Sequence, residues 1–212
     1  DEPQHPVSKA LHPFIGQFNL SKNYFIEIID GMEMDVKFNR YENFEQLKLY
    51  CYRVASCVGI LSAHIFGYKN KNTLTFAKNL GIALQLTNII RDLGEDARRG
   101  RIYIPLDELK KIGVSEEEII SLKNSEKIKN LVQNQVDRAK QFYTLAINTL
   151  PIEDKKSQKI GLIMGNIYFV LLNEIVKDNP EKILNQKTIL PGSRKLRISI
   201  LTMFGFSWIK KT

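Results

Sequence analysis

Cysteine is scarce in this sequence, and the composition is not that of a fibrous or disordered chain. The two cysteines, Cys51 and Cys57, are too few for a disulfide framework, and their six-residue spacing does not match zinc ligation. We expect both to be reduced thiols in the core of a cytoplasmic protein. With 12 glycines, 7 prolines and 43% hydrophobic residues among 212, the chain is predicted to be globular.

The sequence also lacks a long uninterrupted apolar run and a recognisable leader. The most apolar stretch, residues 160–176, is shorter than about 18–20 residues and contains two asparagines and Glu174, so no membrane-crossing segment is predicted. The chain opens with DEPQHP, which is neither basic nor apolar, and has no initiator methionine. This beginning fits a processed, trimmed or fragmentary chain.

Acidic residues are fewer than basic ones, 23 against 31, which gives a net charge of +8. This balance favours anionic partners: phosphates, nucleic acid or an acidic membrane face. The chain has no groove-reading motif and no interleaving of aromatic and basic residues, so nucleic acid is not an expected partner. Residues 194–211 mix basic and apolar side chains, which predicts either a helix packed on the core or a peripheral contact with an anionic membrane surface.

Apolar residues recur at helical spacing along almost the whole chain. Ser21 is a predicted N-cap, and Ser115 with Glu118 forms a predicted capping box. The best strand candidate, residues 101–104, has four residues and is ended by Pro105, so a loop is expected there. The sequence therefore predicts one all-α domain.

The chemistry is concentrated in residues 85–105, which read QLTNIIRDLGEDARRGRIYIP. On a helix, four polar residues separated by 3, 4 and 4 positions project from one face, and Glu95 borders it. These four are Gln85, Asn88, Asp92 and Asp96. Burying such a row is costly without a ligand, and carboxylates one turn apart are hard oxygen ligands suited to Mg²⁺.

Arginines adjoin this face and suit the bidentate binding of diphosphate oxygens. They are Arg91, Arg98, Arg99 and Arg101. The alternative interpretation is an ordinary solvated helix end, in which acids and arginines form surface pairs.

Residues 85–105 resemble the second aspartate-rich signature of the squalene/phytoene synthase family, which joins isoprenoid diphosphates head to head. YCYRVA at residues 50–55, followed by Val58 and Gly59, resembles the family's other signature. HPVSKAL, YFIEIIDGMEMDV and GLIMGNIY also have counterparts, so the resemblance covers nearly the whole chain. IIDGMEMD and YRVAS look most like bacterial presqualene diphosphate synthases of the hopanoid pathway, with phytoene synthases next.

The resemblance implies an isoprenoid-synthase-like helical bundle with a Mg²⁺-dependent site. Asp92, Glu95 and Asp96 match the acids that bind the metal. Tyr50 and Tyr103 match a tyrosine facing the reacting centre and one that contacts diphosphate. Polar residues matching the substrate-binding positions are Gln85, Asn88, Arg91 and, adjoining them, Arg101. Arg53, three residues after Tyr50, is expected to face the same cavity as a third catalytic candidate.

One part of the family pattern is not present. The family carries a first aspartate-rich motif upstream of the segment resembling HPVSKAL, and Asp30, Glu33 and Asp35 do not have its spacing. We therefore expect residues 1–212 to be the C-terminal portion of the enzyme domain, without the N-terminal helices that close its cavity. Such a chain is expected to expose apolar surface and to be prone to aggregate or dimerise.

The resemblance leads to a prenyltransferase that condenses two farnesyl diphosphates to presqualene diphosphate. Two alternatives stay open: a phytoene synthase that uses geranylgeranyl diphosphate, and a non-catalytic relative that acts as an assembly factor. Tyr168, on the late apolar helix, is expected either to pack in the core or to line the substrate cavity.

Overall fold

The computed structural model describes residues 3–123, 125–177 and 184–210, and these residues form helices and connections without a β-strand. The helices are α1 Pro6–Gln17, α2 Lys22–Lys37, α3 Phe44–Cys51, α4 Cys57–Phe66, α5 Asn72–Arg91, α6 Leu93–Arg98, α7 Leu106–Ile112, α8 Glu116–Ile120, α9 Glu126–Thr149, α10 Lys159–Lys177 and α11 Gly192–Met203. A π-helical turn, Tyr52–Ser56, joins α3 to α4, and a 3₁₀ turn, Ile152–Asp154, precedes α10. The prediction of an all-α domain is confirmed.

Local signals in the sequence set several helix ends. Ser21 accepts a hydrogen bond from the Asn23 amide at the start of α2. At the start of α8, Ser115 and Glu118 form the predicted reciprocal capping box. Residues 101–104 are a loop, as expected from their length and the proline after them. These ends follow from capping chemistry rather than from packing.

Helix α5 is the central element of the bundle. Its buried residues point in all directions around its axis, because it packs against α4, α9, α10 and the π-helical turn. Its partner α9 contributes the fully buried Tyr143, whose hydroxyl is 2.9 Å from the hydroxyl of Thr87 on α5. This bond satisfies two buried polar groups, which would otherwise carry a desolvation penalty. The C-terminal half of α5 is therefore anchored to α9.

Helices α3 and α4 and the π-helical turn between them cross α5 at a short distance, because residue 81 of α5 is glycine. A Cβ atom on Gly81 would lie 2.6 Å from the Cα atom of Ser56. Ser56 is fully buried at the end of the π-helical turn, and its hydroxyl donates to the Lys78 carbonyl at 2.7 Å. The absence of a side chain at residue 81 thus lets the π-helical turn pack against the middle of α5.

Apolar side chains remain uncovered on α2. Ile26, Ile29, Met32 and Val36 are all exposed, and Val36 retains 86% of its accessible surface. They recur at helical spacing and form one stripe. This stripe agrees with the expectation of exposed apolar surface. The two cysteines, by contrast, are buried and free, as predicted.

Two helical stretches, residues 44–66 and α10, are long and apolar enough to cross a membrane by length and composition alone. For α10, with its 19 residues, this differs from the sequence-based expectation that the run falls short of a spanning length. Helix α10 packs against α5, α9 and α11, and core helices of globular domains pass the same test. Length and composition are therefore weak evidence for a membrane span.

Candidate active site

The polar row predicted from residues 85–96 is retained although the helix that carries it is interrupted. Helix α5 ends at Arg91 and α6 begins at Leu93, with Asp92 between them. The Asp92 amide still donates to the Asn88 carbonyl at 2.8 Å, and the Asp96 amide donates to the Asp92 carbonyl at 2.8 Å. Because these bonds continue the helical pattern, the acids stay one turn apart on the same side.

A cleft of about 210 Å³ joins this polar row to two tyrosines from other parts of the chain. Seven of the ten site residues predicted from the sequence line it, together with Ile89. The seven are Tyr50, Gln85, Asn88, Arg91, Asp92, Asp96 and Tyr103. The predicted residues are therefore largely brought together in space, across helices α3 and α5, the Asp92 junction, α6 and the loop that carries Tyr103.

Asp35 organises the tyrosine side of the cleft. Its two carboxylate oxygens accept hydrogen bonds from Tyr50 at 3.1 Å and from Tyr103 at 2.8 Å. The two rings stack with centroids 5.4 Å apart, and Tyr41 packs on both. Arg101 donates to the Asp35 carbonyl at 3.0 Å and to the Tyr103 hydroxyl at 3.4 Å. One carboxylate thus fixes the orientation of two phenols.

These phenols remain protonated at ordinary pH. Burial raises the pKa of Tyr50, and the neighbouring Tyr103 and the Asp35 carboxylate raise it further. Burial likewise raises the pKa of Tyr103, and the hydrogen bond to Asp35 adds to the effect. Both hydroxyls therefore act as hydrogen-bond donors rather than as bases.

Asp92 is already paired with cations. Arg91 binds it through two hydrogen bonds, Nε to Oδ1 at 2.9 Å and Nη2 to Oδ2 at 2.6 Å. The Lys187 ammonium lies 2.8 Å from Oδ1 of the same carboxylate and 3.2 Å from Glu95. Burial alone would raise the pKa of Asp92, but the hydrogen bonds from Arg91 and Lys187 outweigh it and hold the pKa below its ordinary value.

Asp96, one turn further, has the opposite environment. Its carboxylate makes no hydrogen bond or ion pair with any residue in the described part of the chain. Burial, with the charges of Asp92 and Glu95, raises its pKa to about 6. The Oδ1 atom of Asn88, which lines the same cleft, is buried and has no hydrogen-bond partner within that part. The cleft therefore presents oxygen atoms that need a cation or a donor.

This donor set fits a hard divalent ion bound together with a ligand, rather than one held by protein alone. Within residues 3–123, 125–177 and 184–210, no three acidic, histidine or cysteine side chains converge on a metal position. Glu95, predicted as a third ligand, instead pairs with Arg99 at 2.8 Å and with Lys187. Asp92 and Asp96 remain, and Mg²⁺ commonly takes one or two carboxylates and completes its shell with water and phosphate oxygens.

A close backbone contact places Lys187 at this site. A Cβ atom on Gly94 would lie 2.0 Å from the Leu184 carbonyl oxygen, so only glycine permits the segment beginning at residue 184 to approach α6. Arg98 also donates to that carbonyl, at 3.2 Å. The segment and its lysine are thus held against the acidic helix end.

Gly94→Ala is accordingly expected to push this segment away and to destabilise the protein by roughly 1–3 kcal/mol, as overpacking does. Thermal unfolding of the variant measures the loss. Gly16→Ala is the matched control, since a Cβ atom there meets nothing within 4 Å, and it is expected to be neutral or slightly stabilising. Equal stabilities of the two variants would contradict the close contact.

The structure does not bring Arg53 to the cleft. Its guanidinium binds Glu27 at 2.9 Å and lies 3.5 Å from Asp30, both on α2. The expectation that Arg53 shares the face of Tyr50 rests on α-helical spacing, and the intervening backbone is π-helical. In a turn closed by i to i+5 bonds, a residue three positions further along does not return to the face of the first, as it nearly does in an α-helix. Arg101 lies beside the cleft through its bond to Tyr103 rather than in its lining.

An apolar cavity of about 350 Å³ adjoins the cleft and shares Gln85 and Asn88 with it. Its walls come from α4, α5, α10 and the π-helical turn. Apolar residues facing it include Val54, Val58, Phe76, Leu80, Leu84 and Met164. Tyr168 lines it as well and also packs against the core, so both expectations for that residue hold.

Two residues at the site were not predicted as site residues from the sequence: Asp35 and Lys187. Asp35 lies on α2, 68 positions before its partner Tyr103, and Lys187 lies 92 positions after Glu95. Neither belongs to the spaced row on α5, and no local pattern predicts such distant pairings. The signal available for Asp35 was its place in the segment IIDGMEMD, which carries the family resemblance but whose acids do not have the spacing of an aspartate-rich motif.

Comparison with known proteins agrees with this architecture. A family model described as squalene/phytoene synthase matches residues 1–195. The phytoene synthase of Arthrospira platensis is 38% identical over 207 residues, which cover 92% of this chain and 67% of that protein. The chloroplastic phytoene synthase of an Oncidium hybrid cultivar is 35% identical over 214 residues, which cover 98% of this chain and 52% of that protein.

Solved structures are similar over most of the chain. A dehydrosqualene synthase in complex with ligand superposes with a TM-score of 0.85 at 26% identity, covering 95% of this chain and 71% of that one. Squalene synthase HpnC from Alicyclobacillus acidocaldarius superposes with a TM-score of 0.75 at 24% identity, covering 83% of this chain and 67% of that one. This second similarity shows the shared fold. The isoprenoid-synthase-like fold predicted from the sequence is confirmed, and the chain belongs to the squalene/phytoene synthase family.

Proposed function

We propose that the cleft binds the diphosphate of an isoprenoid substrate with Mg²⁺ and that the protein joins two such substrates head to head. The observation that carries this proposal is the junction of the two cavities. A polar cleft with Arg91, Asp92 and Asp96 adjoins an apolar cavity, and Gln85 and Asn88 line both. An isoprenoid diphosphate has this same division, with an anionic head and an apolar chain.

The charged residues of the cleft have two roles: the acids would bind the metal, and Arg91 would bind the diphosphate that later departs. Asp92 and Asp96 would hold the metal, and Arg91 would hold diphosphate oxygens while it remains beside Asp92. Mg²⁺ supplies positive charge that neutralises the diphosphate as it leaves with the electron pair of its C–O bond. The lone Asp96 carboxylate and the unpaired Asn88 oxygen support this assignment, since both lack a partner in the described residues.

The remaining residues protect and orient the reacting carbons. Loss of diphosphate leaves an allylic cation, which must be kept from water, and the apolar cavity supplies that environment. The second substrate's double bond attacks the cation, and loss of a proton closes a cyclopropane. The protonated phenols of Tyr50 and Tyr103 line the cleft as donors, so they suit the departing diphosphate better than proton removal.

Two substrates remain candidates. The sequence segments IIDGMEMD and YRVAS led to farnesyl diphosphate and presqualene diphosphate, and the similarity to a dehydrosqualene synthase supports a farnesyl-sized chain. However, this chain is 38% identical to the phytoene synthase of Arthrospira platensis and, over 175 residues, 42% identical to a chloroplastic phytoene synthase of Solanum lycopersicum. These identities favour geranylgeranyl diphosphate, and we propose phytoene as the first candidate product and presqualene diphosphate as the second.

The test uses the protein made from its full reading frame, because this chain spans 67% and 52% of the two relatives described above. It is incubated with Mg²⁺ and equal amounts of farnesyl and geranylgeranyl diphosphate, without NADPH, and products are identified by mass spectrometry. Phytoene supports the first candidate, and presqualene diphosphate the second. A folded protein that yields neither product contradicts the proposed function and favours the non-catalytic assembly factor.

A further inference from the structure

A third cavity, of about 560 Å³, lies on the side of α10 that faces away from the proposed active site. It is enclosed by the end of α9, the turn that leads into α10, and the connection after α11. Its volume falls within the range of about 300–1,000 Å³ that small-molecule sites occupy. Nothing in the proposed reaction uses it.

The interior of this cavity is suited to an apolar ligand. Six apolar side chains line it: Ile147, Leu150, Ile152, Leu162, Phe206 and Ile209. The polar groups at its base are already bonded. Asn166 donates to Thr202 at 3.2 Å and accepts from the Ser207 hydroxyl and from the Trp208 amide, at 3.2 and 2.9 Å. A sugar or peptide would find few free hydrogen-bonding partners there.

The rim of the cavity is cationic. Lys155, Lys156 and Lys159 line it, and no carboxylate is among its lining residues. Lys159 donates to the Met203 carbonyl at 2.7 Å. The ammonium groups of Lys155 and Lys156 make no hydrogen bond or ion pair with any residue in the described ranges, and both side chains are exposed. The rim therefore suits an anionic head above an apolar chain.

An exposed apolar stripe continues from the mouth of the cavity along α11. Leu196, Ile200, Met203 and Phe204 follow one another at helical spacing and are all exposed, Phe204 to 86%. Basic residues flank the stripe, and the opposite face of α11 is buried through Ile198 and Thr202. Apolar side chains at helical spacing with a basic flank are typical of helices that lie in a membrane interface.

We propose that this face binds an anionic phospholipid at a bilayer surface, with one acyl chain in the cavity and the phosphate on Lys155 and Lys156. The exposed stripe of α11 would then lie among the neighbouring lipids. This proposal does not depend on the proposed function, because no residue of the cleft takes part. It does place the lipid and the apolar active-site cavity on opposite faces of the same helix, α10.

The only tryptophan in the sequence, Trp208, reports on this face directly. It follows two lining residues, and its ring meets that of Phe206 edge to face with centroids 4.7 Å apart. The protein is titrated with vesicles of phosphatidylcholine alone or mixed equally with phosphatidylglycerol, each with brominated acyl chains. We expect the mixed vesicles to quench Trp208 fluorescence and the neutral vesicles to quench it weakly.

Variants separate charge from apolar contact. Lys155→Glu with Lys156→Glu is expected to weaken binding at least about 30-fold, because each lysine near an anionic surface contributes about 1 kcal/mol. Lys110→Glu with Lys111→Glu makes the same charge change on exposed residues of α7 and is expected to have a much smaller effect. Phe204→Ser is expected to weaken binding without a change of charge, and Phe38→Ser on the α2 side serves as its control.

Each other outcome overturns the proposal. Equal quenching by both kinds of vesicle would show that the lysines do not select an anionic lipid. Equal losses in the two lysine pairs would indicate attraction by net charge alone. If inorganic phosphate shifts Trp208 emission in a lysine-dependent manner and vesicles do not quench, the rim binds soluble phosphate and the lipid assignment is wrong.

Discussion

Asp96→Asn is expected to lower Mg²⁺-dependent turnover by roughly 1,000-fold and at the same time to stabilise the metal-free protein. Activity falls because a neutral amide is a poor ligand for Mg²⁺. Stability rises because burial and two neighbouring carboxylates disfavour the charged form, as the raised pKa of about 6 shows. A residue that serves only the fold would not change the two properties in opposite directions.

The size of the stability effect depends on pH. Because the pKa of Asp96 is raised from the ordinary value of 3.8 to about 6 in the folded protein, the destabilisation grows as pH rises from 3.8 to about 6 and is fully present above that. Well below pH 3.8 the wild-type carboxyl is protonated in both states and the variant gains nothing. Thermal unfolding in EDTA at low and at neutral pH measures this difference, with product formation assayed separately in Mg²⁺.

Asp92→Asn provides the contrast. It too is expected to abolish turnover, but it also removes a partner of Arg91 and Lys187, so the metal-free protein should lose stability. Glu117→Gln, an exposed acid in the first turn of α8, is the control for loss of charge. If Asp96→Asn keeps wild-type activity, Asp96 is not a metal ligand and the proposed site is wrong.

Much of this architecture could be predicted from the sequence because it depends on local periodicity. Helix positions, the capping box and the polar row on α5 all follow from spacing within a few residues. The π-helical turn could not be predicted in this way. It lies where Gly31 on α2, 21 residues before the turn, and Gly81 on α5, 25 residues after it, let those two helices approach its backbone. This turn is also the reason why Arg53 lies against α2 and not in the cleft, where α-helical spacing would place it.

The residues of the candidate site fall into the same two groups, those set by local spacing and those set by contacts between distant segments. The residues on α5 and α6 were predicted because the chain itself sets them on one face. Asp35 and Lys187 were not, because each reaches the cleft through a tertiary contact of more than 60 positions in sequence. The metal set illustrates both cases. The resemblance grouped Glu95 with Asp92 and Asp96, but Glu95 pairs with Arg99, one helical turn away, and with Lys187, from a distant segment that Gly94 admits.

The second large effect is expected at Asp35. Asp35→Asn retains one acceptor oxygen where the carboxylate offers two, so Tyr50 and Tyr103 cannot both keep their hydrogen bonds. We expect turnover to fall roughly 10- to 100-fold, as is usual when a group that orients active-site residues is removed. Tyrosine titration followed by ultraviolet absorbance gives an independent measurement: the pKa of Tyr103, which Asp35 raises, should fall in the variant.

Double substitution distinguishes this orienting role from a general loss of stability. If Asp35 acts through the phenol of Tyr103, adding Tyr103→Phe to Asp35→Asn should cost less than the sum of the two single effects on turnover. Glu33→Gln, an exposed acid on the same helix paired with Lys37, is the control and should leave turnover and tyrosine titration unchanged. Additive losses, or a fall in stability without a change in the tyrosine pKa, would show that Asp35 only supports packing. A coupled loss would place Asp35 among the residues that define the tyrosine side of the cleft, a role that no aspartate-rich spacing in the sequence assigns to it.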